Sequence, residues 1–185
     1  MITVEITNRQ AALSIDEDRL RAAVRAVLLE EGVLDAAVGI AVVDDLTIQD
    51  SNRRFLNHDY ATDVLTFALE QDEHRLEGEL MISAETAAAS AAEYGWSAAD
   101  ELLLYVIHGT LHLAGYDDRD GDSLAEMRAQ ERRHLAHFGL VPRYDSAGLK
   151  AGDNAISHDQ AARAEAVSDS IAIELQTSRP ERTLS

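Results

Sequence analysis

The sequence contains no cysteine, which excludes disulfides, thiolate metal sites and thiol nucleophiles together. No apolar run approaches the ~20 residues that a membrane-spanning helix needs. The opening, MITVEITNRQ, has neither the basic nor the apolar region of a signal peptide, so a cytoplasmic location is expected. An internal repeat and a glycine-rich phosphate loop are also missing. Basic charge is scarce: the net charge is −18, and 28 acidic against 12 basic residues lie before Ser146. The acidity therefore belongs to the part expected to fold, and it argues against broad, non-specific binding to nucleic acid. A polyanionic ligand has to be held by a local group of arginines, a metal ion or a partner.

What is present suffices for one good core. The chain has 185 residues, 46% of them hydrophobic, which fits one domain over residues 1–145. Residues 146–185 are rich in Ala, Ser, Asp and Gln, with weak amphipathic character between Ile156 and Ile173. They read as a disordered or loosely helical tail.

Within the domain, Ile2 to Ile6 alternates as a strand does. Ser14 to Asp18 offers caps for a helix whose apolar face is Leu20, Val24, Val27 and Leu28, ending at Gly32. Val38 to Val43 is a short apolar run suited to a buried strand. Asp44 and Asp45 cap a second helix through about Phe55, with Leu46 and Ile48 expected inward. Thr62 to Phe67 and Gly78 to Ser83 read as strands joined by a hairpin-like acidic link, Glu70 to Glu77. An alanine-rich packing helix follows from Ala84 to Tyr94. Another starts near Ser97, and a last one runs from about Ser123 to Phe138. The expected fold class is α+β (mixed α/β), a small mixed four-stranded sheet packed with about five helices.

The informative stretch is Ala99 to Arg119. Leu102, Leu103, Val106 and Ile107 recur at helical spacing, and His108 and His112, four residues apart, share one face. Gly115 supplies a left-handed stop, after which Tyr116, Asp117 and Asp118 can fold back toward the histidines. Two imidazoles and a returning carboxylate suit an open tetrahedral metal site, so His108, His112 and Asp118 are the candidate ligands. Zn2+, one per chain, is the expected ion. Asp117 reads as a residue of the turn. On the last helix, His134 and His137 read as surface or packing residues. The metal helix is expected near the edge of the sheet, its site open to a groove.

Three stretches resemble one family. HGTLHLAGYDD at 108–118 is similar to the signature HGxLHLxGYDH of the YbeY-type endoribonucleases. TDVLTF at 62–67, preceded by Asn52 and Phe55, resembles that family's N-x-x-Y-R…P-T-D-V-L-S-F segment, and GELMIS at 78–83 resembles its G-D/E-I-x-I-S strand. The resemblance spans roughly residues 1–142 and implies a metal-dependent, single-strand-specific endoribonuclease. It also implies work in ribosomal RNA maturation, chiefly at the 3′ end of the small-subunit RNA, and in ribosome quality control. The implied partners are single-stranded ribosomal RNA and the ribosome or its small subunit.

Two positions depart from the pattern. The family's third histidine is Asp118 here, which adds a negative charge, makes a bound water less acidic and shifts preference toward harder ions such as manganese. The arginine after the family's aromatic is Leu56 here. Arg53, one helical turn earlier, and its neighbour Arg54 are the candidates to contact phosphate in its place, with Arg119 a further one. Two other functions stand beside the nuclease. His-x3-His-x5-Asp is also metzincin ligand spacing, but those proteases need Glu directly after the first histidine, and Gly109 stands there. A catalytically weakened ribosome-associated binding factor is consistent with the lost arginine, the changed ligand and the acidic surface.

Overall fold

The computed structural model describes residues 1–71 and 75–142. The elements run β1 (Ile2–Asn8), α1 (Glu17–Glu30), β2 (Ala36–Val43), α2 (Asp45–Leu56), β3 (Val64–Gln71), β4 (Leu76–Ser83), α3 (Ala84–Tyr94), α4 (Ala98–Leu113) and α5 (Gly121–Ala136). The four strands form one mixed sheet in the order β1-β2-β4-β3. β1 and β4 lie parallel to β2, and β3 lies antiparallel to β4. The fold is therefore α+β, as the pattern of elements implied. The tail, residues 146–185, lies outside the described residues, as does the centre of the link between β3 and β4.

Side chains alternate across the sheet with the two-residue period of extended chain. Val38, Ile40 and Val42 of β2 and Leu80 and Ile82 of β4 face the larger core, which α1, α3, α4 and α5 complete. Ala41, Val43, Leu65, Phe67 and Met81 face the other way and are covered by Ile48, Phe55 and Leu56 of α2. At about 25 cal/mol per Å2 of apolar surface removed from water, the larger core is the main stabilising element.

The structure amends several expected boundaries and two placements. β2 and β4 each begin two residues earlier than their apolar runs, because Ala36 pairs with Ile2 on one side and Leu76 on the other. β3 starts two residues later, at Val64, and continues to Gln71. α5 spans Gly121–Ala136, since Asp120 accepts from the backbone N–H groups of Asp122 and Ser123 and so starts the helix before Ser123. Leu46 points outward and is 77% exposed; it lies two residues from Ile48 and so on a different face of the helix.

α4 is not peripheral. It packs on β3 and β4, and also against α1, α3 and α5, and every residue from Glu101 to Leu111 is buried. Two glycines allow this close approach. A Cβ on Gly109 would lie 2.9 Å from Leu80 Cδ2 and 3.1 Å from Val64 Cγ2; one on Gly78 would lie 2.5 Å from Leu113 Cδ2. The helix thus sits directly on the sheet, its own Gly109 against β3 and β4.

Candidate metal centre

α4 carries His108 and His112 one helical turn apart, so their imidazoles share a face. The helix closes as a Schellman motif: Gly115 has φ +102°, its N–H donates to His112 O, and Tyr116 N–H donates to Leu111 O. This reversal returns the chain over the last turn of the helix. Asp117 Oδ1 then accepts from the Asp118 N–H at 2.8 Å, so Asp117 holds the turn, as its position suggested. Asp118 is left pointing at both imidazoles, its carboxylate oxygens 3.8 Å from His108 Nε2 and 3.9 Å from His112 Nε2.

The outer nitrogens of the rings are fixed. His112 Nδ1 donates to the Tyr116 carbonyl at 2.9 Å; a carbonyl can only accept, so this nitrogen carries the proton. His108 Nδ1 donates to Glu131 Oε1 of α5 at 2.8 Å. Both rings therefore present Nε2 inward, and the two Nε2 atoms lie 3.0 Å apart. Ligands about 2.0 Å from a tetrahedral zinc lie about 3.3 Å from one another. With Asp118, the nitrogens and a carboxylate oxygen form a group within 4.8 Å of one another, and the donor set fits a metal ion. The group is buried, with His108 4% and Asp118 8% exposed, rather than lying in an open groove.

Electrostatics follow from burial. Burial opposes charge on His108, but the hydrogen bond and charge of Glu131, with Asp63 and Asp118, outweigh it and raise its pKa. His112 moves the other way, to about 4, through burial and then the neighbouring positive His108. Asp118 is raised, chiefly by burial. Glu131 is lowered: its burial is outweighed by His108 and by Arg128, whose guanidinium lies 2.7 and 3.0 Å from its two oxygens. Without an ion, the pair of imidazoles thus holds one proton readily and resists a second.

The structure brings together His108, His112 and Asp118 and leaves Arg53 and Arg54 elsewhere. Arg53 and Arg54 stand on α2, which covers the opposite face of the sheet. Both pair with Asp50, the latter at 2.9 Å, and Arg53 also reaches Asp59 at 3.6 Å. Leu56 packs in the smaller core. Arg119 is exposed and lies 3.5 Å from Asp117. Glu131 and Arg128 escaped the sequence reading, although a signal existed: Glu131 lies one helical turn from both Met127 and Leu135 and so on the buried face of α5. Asp63 was also missed. It starts β3 by accepting from Val64 N–H, and its charge acts on both His108 and Asp118.

The family model described as Endoribonuclease YbeY matches residues 5–139. The chain belongs to the endoribonuclease YbeY family, and so is an enzyme of a metal-dependent hydrolase family. It is 39% identical over 150 residues to the endoribonuclease YbeY of Moorella thermoacetica, covering 73% of this chain and 96% of that protein. To the Carboxydothermus hydrogenoformans protein it is 40% identical over 140 residues, covering 74% and 97%. A Rhodopirellula baltica relative is 46% identical over 112 residues, which cover 60% of this chain and 58% of the relative. A solution structure from Thermotoga maritima matches with a TM-score of 0.52 at 24% identity, covering 80% of this chain and all of that one; it supports the fold. Among the described residues, no helix is long and apolar enough to cross a membrane.

Proposed function

We propose that this protein is a zinc-dependent, single-strand-specific endoribonuclease acting on ribosomal RNA in maturation of the small-subunit 3′ end and in ribosome quality control. The observation that carries the metal-dependent reading is the convergence of His108 Nε2, His112 Nε2 and the Asp118 carboxylate in one buried group. Zinc suits two imidazoles and a carboxylate, and three protein ligands leave a position for water. When bound, the ion supplies an acidified water and a Lewis acid for a phosphoryl oxygen.

The rest falls to the chain's own residues. Glu131 and the Tyr116 carbonyl hold the imidazoles in the tautomer that keeps Nε2 free. Asp118 contributes negative charge, which keeps the site attractive to a cation in an environment where burial alone disfavours one. The acidic protein surface makes electrostatic steering of RNA weak, so local contacts fix the strand. Arg53 or Arg54, on the other face of the sheet from α4, meets phosphate of the strand away from the metal centre in this reading by exchanging Asp50 for the RNA backbone.

The test is RNA cleavage with metal analysis of the same samples. The wild type is expected to contain metal and to cut unpaired RNA. His112→Ala is expected to lose cleavage and the ion of this site while retaining its fold by circular dichroism. Full cleavage by that variant overturns the metal mechanism. Leu56, partly buried where the family pattern carries an arginine, favours one second reading, a ribosome-associated binding factor. Co-sedimentation with ribosomes by wild-type protein that holds metal yet cuts no RNA would select it.

A further inference from the structure

A second group of ligand atoms lies where α1 and α5 both end. Glu30 is the last residue of α1, and His134 and His137 occupy the last turn of α5 and its cap. His137 Nε2 is 3.3 Å from Glu30 Oε1, and His134 Nδ1 is 3.9 Å from Glu30 Oε2. One nitrogen of each ring and a carboxylate oxygen all lie within 4.8 Å of one another. We propose that Glu30, His134 and His137 form a second divalent-metal site, suited to zinc, that pins the C-terminal ends of α1 and α5 together.

Two independent observations ask for a cation there. His134 is fully buried, yet neither of its ring nitrogens makes a hydrogen bond among the described residues. An unmet polar group in the interior is costly, and few survive in folded proteins without a partner. Metal coordination answers that need, because a neutral imidazole offers a lone pair to an ion. Burial keeps His134 neutral by lowering its pKa.

The second observation is the charge at the helix ends. α1 closes on Glu30 and Glu31 and has no basic residue in its last turn, so two carboxylates sit at the negative pole of the helix. α5 brings its own negative pole to the same place. Arg133 answers part of this, lying 2.9 Å from Glu30 Oε2, but its side chain is 55% exposed and can swing into water when an ion arrives. Access is open, since the His137 side chain is 44% exposed and that of Glu30 24%.

Ligands about 2.0 Å from a tetrahedral zinc lie about 3.3 Å apart, the separation of His137 Nε2 from Glu30 Oε1, and the other donor pairs stay within 4.8 Å. The site is distinct from the first, which α4 and the following turn supply. It shares with it only α5, where Glu131 and His134 are three residues apart and so lie on neighbouring faces. An ion at the helix ends therefore also steadies the segment that holds Glu131 against His108.

The experiment is zinc titration of the full-length, chelator-stripped protein by calorimetry, with total zinc measured after desalting. The wild type is expected to take up about two equivalents. His137→Ala removes an exposed side chain and leaves the core unaltered; it is expected to bind one equivalent fewer. Glu30→Gln is expected to do the same, while Arg133→Ala, which frees Glu30, is expected to bind zinc at this site more tightly. Zinc is also expected to raise the melting temperature of a His112→Ala protein, and to leave that of His112→Ala/His137→Ala unmoved. Unchanged stoichiometry in both His137→Ala and Glu30→Gln overturns the proposal. None of these readouts depends on RNA cleavage.

Discussion

Glu131 of α5 accepts the Nδ1 proton of His108 at 2.8 Å, and the same carboxylate is gripped by Arg128 at 2.7 and 3.0 Å. Arg128, Glu131 and His108 are all buried. The relation sets the tautomer of His108, and it makes the orientation of a residue on α4 depend on the packing of α5. Met127 and Leu135, in the larger core, hold that helix in place.

Glu131→Gln tests the dependence. The amide can still accept from His108, but it cannot balance Arg128, which is left as a buried charge facing a neutral group. Loss of one partner from a buried pair costs about 3–5 kcal/mol, and loss of a group that orients a metal-binding histidine lowers metal affinity about 10–100-fold. Equilibrium unfolding and competition with a chelating dye measure the two effects. A variant with wild-type affinity and stability contradicts the role given to Glu131.

Asp118 invites a second substitution. Asp118→Ala removes the third donor and is expected to lose the ion of this site on dialysis. Asp118→His replaces a negative ligand with a neutral one and is expected to keep about one ion at this site. A less negative ligand set makes the bound water more acidic, so the acid limb of the pH–activity profile is expected to move to lower pH. A profile that moves to higher pH contradicts this account of the site's charge.

Much of this centre was legible in the sequence, and the reason is locality. His108, His112 and Asp118 lie within eleven residues, joined by a helix turn and a glycine stop, both of which have strong sequence signals. The apolar periodicity of α4 and the run of alanines in α3 are local in the same sense, and α3 begins and ends where its composition says. Strand starts were less legible: Ala36 and Ala37 have little strand preference of their own and are extended because Ile2 and Thr3 pair with them. Leu46 shows that an apolar residue in a helix need not face the core. Glu131 was the largest omission, because its partner lies 23 residues away and no spacing rule links them. His134 was read as surface or packing; it proves fully buried, with Glu30, far away in sequence, as its neighbour.

Gly109 distinguishes the two metal-enzyme readings sterically. It faces the sheet, where an added Cβ meets Leu80, Val64 and Thr66 at 2.9 to 3.3 Å. A protease's glutamate at this position would enter the core rather than the metal site. Gly109→Ala gains about 1 kcal/mol of helix propensity, against about 1–3 kcal/mol for overpacking a filled core. Leu80 and Val64 are fully buried and have no room to yield, so net destabilisation is expected, read as a lower denaturant midpoint at unchanged m-value. A midpoint above wild type contradicts the close packing of α4 on β4.

The two histidines predict a specific pH dependence of metal binding. In the ion-free protein His108 keeps its proton above the usual range for histidine, whereas His112 accepts one only at about 4. An ion requires both Nε2 lone pairs, so binding must expel the His108 proton. Below the raised pKa of His108, affinity is therefore expected to fall about tenfold per pH unit, and more steeply once His112 also titrates. Folding stability of the ion-free chain carries two opposed contributions. His112 is unprotonated in the folded state between about 4 and 6.5 while the unfolded chain takes up a proton, so its contribution to stability is lost as pH falls through that window. His108 contributes stability that is fully present below 6.5 and is lost as pH rises through its raised value. Calorimetric titrations in two buffers of different ionisation enthalpy count the proton released on filling this site, expected to approach one per ion about a pH unit below the His108 pKa. Release of no proton at any pH between 5 and 8 contradicts the shared proton between the rings, and with it the assignment of Nε2 of both histidines to the metal.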